Sequence, residues 1–152
     1  MCAAIICGTG ARGRPYEFGI APEGAWTGVI ASGRFEAAIE WAVEQGADTY
    51  SMSFSIPGLG EYRSHWRKVM EHGSFCGICF VSGAGNFAQQ ARVPVQMRTP
   101  EDIPDAVFAA AGVQRNFART PFSSKGPVEW KTSHYADGRV QKPEVCAFNM
   151  GL

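Results

Sequence analysis

Phe75-Cys76-Gly77-Ile78-Cys79-Phe80-Val81 is an unbroken apolar run of strand length, and Ser82-Gly83-Ala84-Gly85-Asn86 follows it directly. A continuous run of this kind marks a strand covered on both faces, as in a parallel sheet. The glycines after it let another backbone approach closely. The strand end therefore reads as the carboxyl edge of an α/β sheet, where open sheets of this class bind ligands. Asn86 supplies a neutral side-chain amide there, a donor able to stabilise a developing oxyanion without bringing charge into a dry site. On this motif alone, that role and a structural turn asparagine are equally good readings.

Upstream of the run, Glu61 to His72 places Tyr62, Trp66, Val69 and Met70 on one stripe, which predicts an amphipathic helix stopped by Gly73. Thr49 to Phe54 reads as a strand. Phe35, Ile39, Ala42 and Val43 have helical spacing, with Gly46 placed to end that helix in the left-handed conformation. Ala25 to Ala31 reads as a further buried strand. Downstream come a loop from Phe87 to about Pro104, a strand at Ala106 to Val113 and an irregular tail from Arg115 to Leu152. Strand and helix patterns thus alternate, the signature of an α/β fold: a three-layer, mostly parallel sheet flanked by helices.

With 152 residues, 45% hydrophobic, the chain can bury one ordinary core. Lys plus Arg equals Asp plus Glu at 14 each, and the charges are scattered, so the electrostatic footprint of nucleic-acid or anionic-membrane binding is missing. No apolar run reaches the roughly 18 residues that span a bilayer, and no basic region precedes the short apolar stretch after Met1 as in a signal peptide. The five cysteines, Cys2, Cys7, Cys76, Cys79 and Cys146, are an odd number, mostly within apolar runs. They read as small buried hydrophobes in a reducing, cytoplasm-like compartment rather than as a disulfide framework. The compartment itself stays open.

Three further patterns are set aside. Gly8-Thr9-Gly10-Ala11-Arg12-Gly13 satisfies a dinucleotide fingerprint, but Arg14-Pro15-Tyr16-Glu17-Phe18 follows it with no helical periodicity, so a phosphate would have no helix N-terminus to sit on. Cys76 and Cys79 are spaced as a redox or zinc pair, yet on a strand positions three apart face opposite ways. His65, His72 and His134 have no Glu or second His at metal-ligand spacing, and no role is assigned to them.

What favours the catalytic reading of Asn86 is order along the chain. Gly19-Ile20-Ala21-Pro22-Glu23-Gly24-Ala25, Ile39-Glu40-Trp41-Ala42, Asp48-Thr49-Tyr50-Ser51-Met52-Ser53-Phe54 and Ser82 to Asn86 occur in succession. Phe122-Ser123-Ser124-Lys125-Gly126-Pro127 and Lys142-Pro143-Glu144-Val145-Cys146-Ala147 then follow. The succession resembles the subtilisin-like serine proteases, the subtilases, over nearly the whole chain.

The resemblance implies a serine endopeptidase that hydrolyses peptide bonds through an acyl-enzyme, with a peptide or protein as substrate. It makes Asn86 the oxyanion-hole asparagine. Ser53, Phe54 and Ser55 become the segment that pairs with an extended substrate, and Ala84 and Gly85 the opposite wall of the pocket for the side chain before the cleaved bond. The family's Asp, His and Ser have no counterparts here, so the chain is expected to be the central portion of a catalytic domain, inactive by itself and, with open sheet edges, prone to self-association. Ser55-Ile56 stands where the family has Gly-Gly, and Ala147-Phe148-Asn149 where it has Ala-Pro-Gly. The Gly8 to Phe18 loop lacks the Asn-rich calcium pattern, so no cofactor is expected. These departures keep open a non-catalytic peptide-binding or scaffolding relative.

Overall fold

The computed structural model describes residues 2–11, 14–30, 33–90 and 96–149, and the chain divides into two compact units, Met1–Arg34 and Phe35–Leu152. In the first unit a short helix, α1 (Cys2–Cys7), precedes two antiparallel strands, β1 (Thr9–Ala11) and β2 (Arg14–Phe18). Backbone bonds from Ile20 to Ile5 and from Ala21 to Ile6 lay the following segment along α1. The glycine-rich stretch from Gly8 thus leads into a hairpin, with no helix after it to hold a phosphate; Arg12 and Gly13 lie outside the described residues.

The second unit contains α2 (Phe35–Glu44), β3 (Thr49–Met52), α3 (Tyr62–Phe75), β4 (Cys79–Gly83) and β5 (Val107–Val113). A small antiparallel ribbon of β6 (Val128–Trp130) and β7 (Gly138–Val140) follows, and then β8 (Val145–Phe148). Four of these strands form one parallel sheet in the order β3-β4-β5-β8. Helix α3 forms the crossover between β3 and β4, and α2, which precedes β3, packs on the sheet with it, so the expected mostly parallel sheet with flanking helices is the observed architecture.

One face of the sheet carries the core. Ile39 and Ala42 of α2 and Trp66 and Met70 of α3 pack with Met52, Phe80, Val107, Ile103 and Trp130. Phe80, Met70 and Trp130 are completely buried, and each such side chain contributes roughly 1.5–3 kcal/mol by leaving water. A second cluster of Ala84, Met97, Ala109, Ala111 and Val128 forms near the strands' carboxyl ends. Helix α2 ends as its sequence predicts. Gly46 adopts φ 68°, its N–H bonds the Val43 carbonyl, and the Ala47 N–H reaches back to Ala42.

Several expectations are corrected. Helix α3 runs through Gly73 to Phe75, and Gly73 is buried against the Phe80 ring: a Cβ there would lie 2.5 Å from that ring. That glycine is a packing residue; the turn is made by Gly77, at φ 100°. The strand after it therefore starts at Cys79, not Phe75. Cys76 caps the helix, Cys79 opens the strand and both are exposed, so neither is a core cysteine. Cys2 and Cys146 are exposed too, and Cys7 is half-buried. Residues 25–30 form no strand: they have no ladder partner among the described residues and expose Trp26 and Ile30, while Ala31 lies outside the described residues. Strand β3 stops at Met52, leaving Ser53 and Phe54 beyond its ladder. The tail is not irregular, because β6 and β7 pair with each other and β8 extends the main sheet.

Candidate active site

Strands β3 and β4 run parallel with Met52 opposite Ser82, so Ser53–Ser55 and Ala84–Asn86 leave neighbouring strands at the same carboxyl edge. The structure thereby puts the two predicted walls side by side. Ala84 is buried and donates its N–H to the Ala110 carbonyl at 2.9 Å, which carries the chain one step past the sheet before it turns.

Gly85 makes the turn at φ 92°, a conformation that L side chains rarely adopt. A Cβ there would also come within 3.0 Å of Ser124 Oγ and of the Phe87 ring. The Gly85 carbonyl accepts the Ser124 N–H at 2.9 Å, Ser124 Oγ accepts the Phe87 N–H at 3.0 Å, and the Phe122 carbonyl accepts the Ala88 N–H at 3.1 Å. Asn86 is thus held at an exposed bend by bonds immediately before and after it. The clamp is itself braced. Arg119 Nη1 donates to the carbonyls of Thr120, Pro121 and Ser123, and Ser123 Oγ accepts the buried Gly112 N–H at 3.0 Å.

On the opposite wall, side chains alternate as extended backbone requires. Phe54 points into the core, its ring 5.0 Å from Phe35 and 6.3 Å from Trp66. Ser53 is exposed, and Ser55 Oγ donates to Glu101 Oε1 at 2.6 Å. The Ile56 N–H bonds the Thr99 carbonyl at 2.7 Å.

Residues 97–101 contact both segments. Met97 packs in the cluster that holds Ala84, while Thr99 and Glu101 bind the Ser55–Ile56 side. Glu101 is completely buried, and burial raises its carboxyl above the usual range, against the hydrogen bonds from Ser55 and the Arg98 backbone. Asp102 beside it is raised by burial as well, opposed chiefly by Arg63, whose Nη2 lies 2.7 Å from it. Beyond Ile56 and Thr99 lies an open cleft of about 910 Å³, lined in part by Gly58, Met97, Lys125 and Val128.

Lys142 and Glu144 bind the backbone of β5. Lys142 Nζ donates to the Val107 carbonyl at 2.6 Å and lies 2.7 Å from Glu144, whose other oxygen takes the Ala109 N–H. Burial lowers the Lys142 pKa against the pull of Glu144. The three histidines are exposed, with His65 3.3 Å from Glu36 on the helix surface. No group of three or more metal-ligating side chains exists among the described residues, and none of their helices is long and apolar enough to cross a membrane.

Two residues of the site escaped the sequence reading. Ser124 lay in a quoted motif without a role, and Glu101 lay in a stretch read as loop. Only long-range folding brings them to Asn86 and Ser55.

The fold and this edge geometry define a subtilisin-like α/β domain. The sequence matches the subtilase family over residues 1–148, and the chain belongs to that family. Among solved structures, it is similar to the self-cleaved protease domain of PatA, at 24% identity and TM-score 0.63, with 82% of this chain and 48% of that one covered. It is also similar to the PatG macrocyclase in complex with peptide, at 20% identity and TM-score 0.61, covering 82% and 36%. A third likeness is to the psychrophilic subtilisin-like protease Apa1 from the Antarctic psychrotroph Pseudoalteromonas sp. AS-11, at 20% identity and TM-score 0.50, covering 74% and 21%. The chain thus spans less than half the length of each. A comparison with curated proteins returns no match.

Proposed function

We propose that the chain is the central portion of the catalytic domain of a subtilisin-like serine endopeptidase, with the catalytic Asp, His and Ser supplied by segments outside these residues. In this reading Asn86 donates its side-chain amide to the oxyanion, Ser53–Ser55 pairs with an extended peptide, and Ala84 and Gly85 wall the pocket for one of its side chains. The observation that carries it is the clamped bend at Asn86, at the carboxyl edge of a parallel sheet in a chain of the subtilase family. Bonds to the backbone on both sides limit the positions from which the Asn86 side chain can reach, and preorganisation of this kind is what makes an oxyanion donor effective. That a relative is described as a macrocyclase in complex with peptide supports a peptide as ligand.

In the full-length protein, Asn86→Ala is expected to lower kcat by about 10²–10³-fold with little change in KM, the effect of losing one oxyanion donor in a subtilisin. An unchanged kcat overturns the assignment. A non-catalytic peptide-binding relative is the second reading, favoured by the engagement of Ser55 and Ile56 with Glu101 and Thr99 in place of a glycine pair. Covalent labelling of the full-length protein by a fluorophosphonate decides against it.

A further inference from the structure

Glu101 stands out as a completely buried carboxyl with no cation paired to it among the described residues. Its Oε1 accepts two hydrogen bonds, from Ser55 Oγ at 2.6 Å and from the Arg98 N–H at 3.0 Å, while Oε2 is buried without a partner. Such a group is unfavourable for folding, so a well-packed neutral side chain would serve stability better. Its one side-chain hydrogen-bond partner among the described residues is Ser55, in the segment read as the peptide-pairing wall. Glu101 is thus placed to act on that wall, and the Ile56–Thr99 bond next to it makes a second tie between the same two segments.

We propose that Glu101 is a positioning residue for the peptide-pairing segment: its carboxyl, through Ser55, fixes Ser53–Ser55 in the extended form an incoming chain pairs with. The inference rests on the peptide reading of that segment. In its ionised form Glu101 gives Ser55 a charge-assisted bond, about twice as strong as one to a neutral acceptor. When Oε2 takes a proton, Oε1 becomes the carbonyl of a neutral acid, the bond weakens and the segment loosens. The ionisable groups around it set where this happens. Burial pushes the carboxyl up, Ser55 and the backbone push it down, and Asp102 pushes it up. Arg63, from α3, and Lys142, before β8, act on Asp102. The wall is therefore set to tighten as pH rises through a value above the ordinary glutamate range.

The test uses the chain with ¹³C-labelled glutamate side chains and ¹⁵N-labelled backbone, followed by NMR from acid to neutral pH. In parallel, binding of a mixed library of fluorescein-labelled hexapeptides is read by polarisation. In the wild type, the Ser55 and Ile56 amide resonances shift with the midpoint of the Glu101 carboxyl, and peptide affinity rises several-fold through the same midpoint. Glu101→Gln keeps an acceptor for Ser55 but cannot ionise, so its Ser55 and Ile56 resonances and its affinity stay flat. In Ser55→Ala, Glu101 still titrates while Ile56 no longer follows it and affinity is low throughout. Ser55 and Ile56 resonances that ignore the Glu101 midpoint, or that still titrate in Glu101→Gln, overturn the proposal. If the resonances titrate as expected but no peptide binds any form, the peptide reading of the segment fails and the Glu101–Ser55 coupling stands.

Discussion

Ser123 and Ser124 are adjacent, equally buried and chemically identical, yet their removal has different consequences. Ser124 Oγ accepts the N–H of half-buried Phe87, and Ser123 Oγ accepts the N–H of buried Gly112. Truncating either to Ala strands a backbone donor, at about 1–3 kcal/mol when that donor is buried. Water can reach the Phe87 side, so Ser124→Ala falls near the low end, about 1 kcal/mol; Ser123→Ala falls near the high end. In a domain of this size each kcal/mol lowers Tm by roughly 2–4 °C. Function runs the other way. Ser124→Ala removes the bond to the residue after Asn86 itself, so it moves the Asn86 side-chain amide more, read as a shifted and broadened ¹H–¹⁵N signal, and lowers kcat more in the full-length protein. Urea unfolding ranks the stabilities and NMR ranks the disorder at Asn86. If Ser123→Ala disturbs Asn86 as much as Ser124→Ala, the clamp argument is wrong.

Gly73→Ala gains about 1 kcal/mol of helix propensity, yet its Cβ meets the Phe80 ring, and overpacking a core of this kind costs about 1–3 kcal/mol. Because Phe80 is fully buried and cannot swing aside, net destabilisation in urea unfolding is expected; a rise in stability refutes the close-packing account. Cys2, Cys76, Cys79 and Cys146 are exposed, so four thiols of the native chain should react rapidly with Ellman's reagent, against one or none if they were core residues. Glu101→Gln should gain stability relative to the wild type as pH rises, measured by urea unfolding across a pH series.

The sequence carried the alternation of strands and helices because period and glycine punctuation are local properties. Phe35, Ile39 and Ala42 announce α2, and Gly46 announces its end through a conformation that glycine alone adopts cheaply. Where local signals failed, tertiary packing had overruled them. Gly73 looks like a helix stop but is the one size that lets α3 lie on Phe80. The run from Phe75 looks like one strand but is shared between a helix end, a turn and a strand start. Strand β8 has only four residues and expresses no alternation, so only its pairing with β5 reveals it. The positions of Asn86, Ala84 and Gly85 were legible because a glycine turn after a buried strand has one natural place. Their support was not, since Ser124 lies 37 positions from Phe87 and Glu101 46 from Ser55.

Glu101 joins the questions of stability and function, because its two effects have opposite signs. Its folded-state pKa lies above the unfolded value, chiefly through burial. Below the unfolded pKa both states hold the proton, and the stability this provides is fully present. As pH rises, the unfolded chain releases its proton first, and stability drains away until the folded pKa is passed. Asp102 is raised as well and drains stability in the same sense, which is why the comparison is made against Glu101→Gln and not on the wild-type curve alone. Over that same interval the Ser55 bond strengthens and the peptide-pairing segment is held more firmly. A residue present only to support the fold would move both measurements together. Glu101 should lose folding free energy and gain peptide affinity through a single midpoint; in Glu101→Gln the affinity trend should vanish and the fall in stability should shrink to the part that Asp102 supplies.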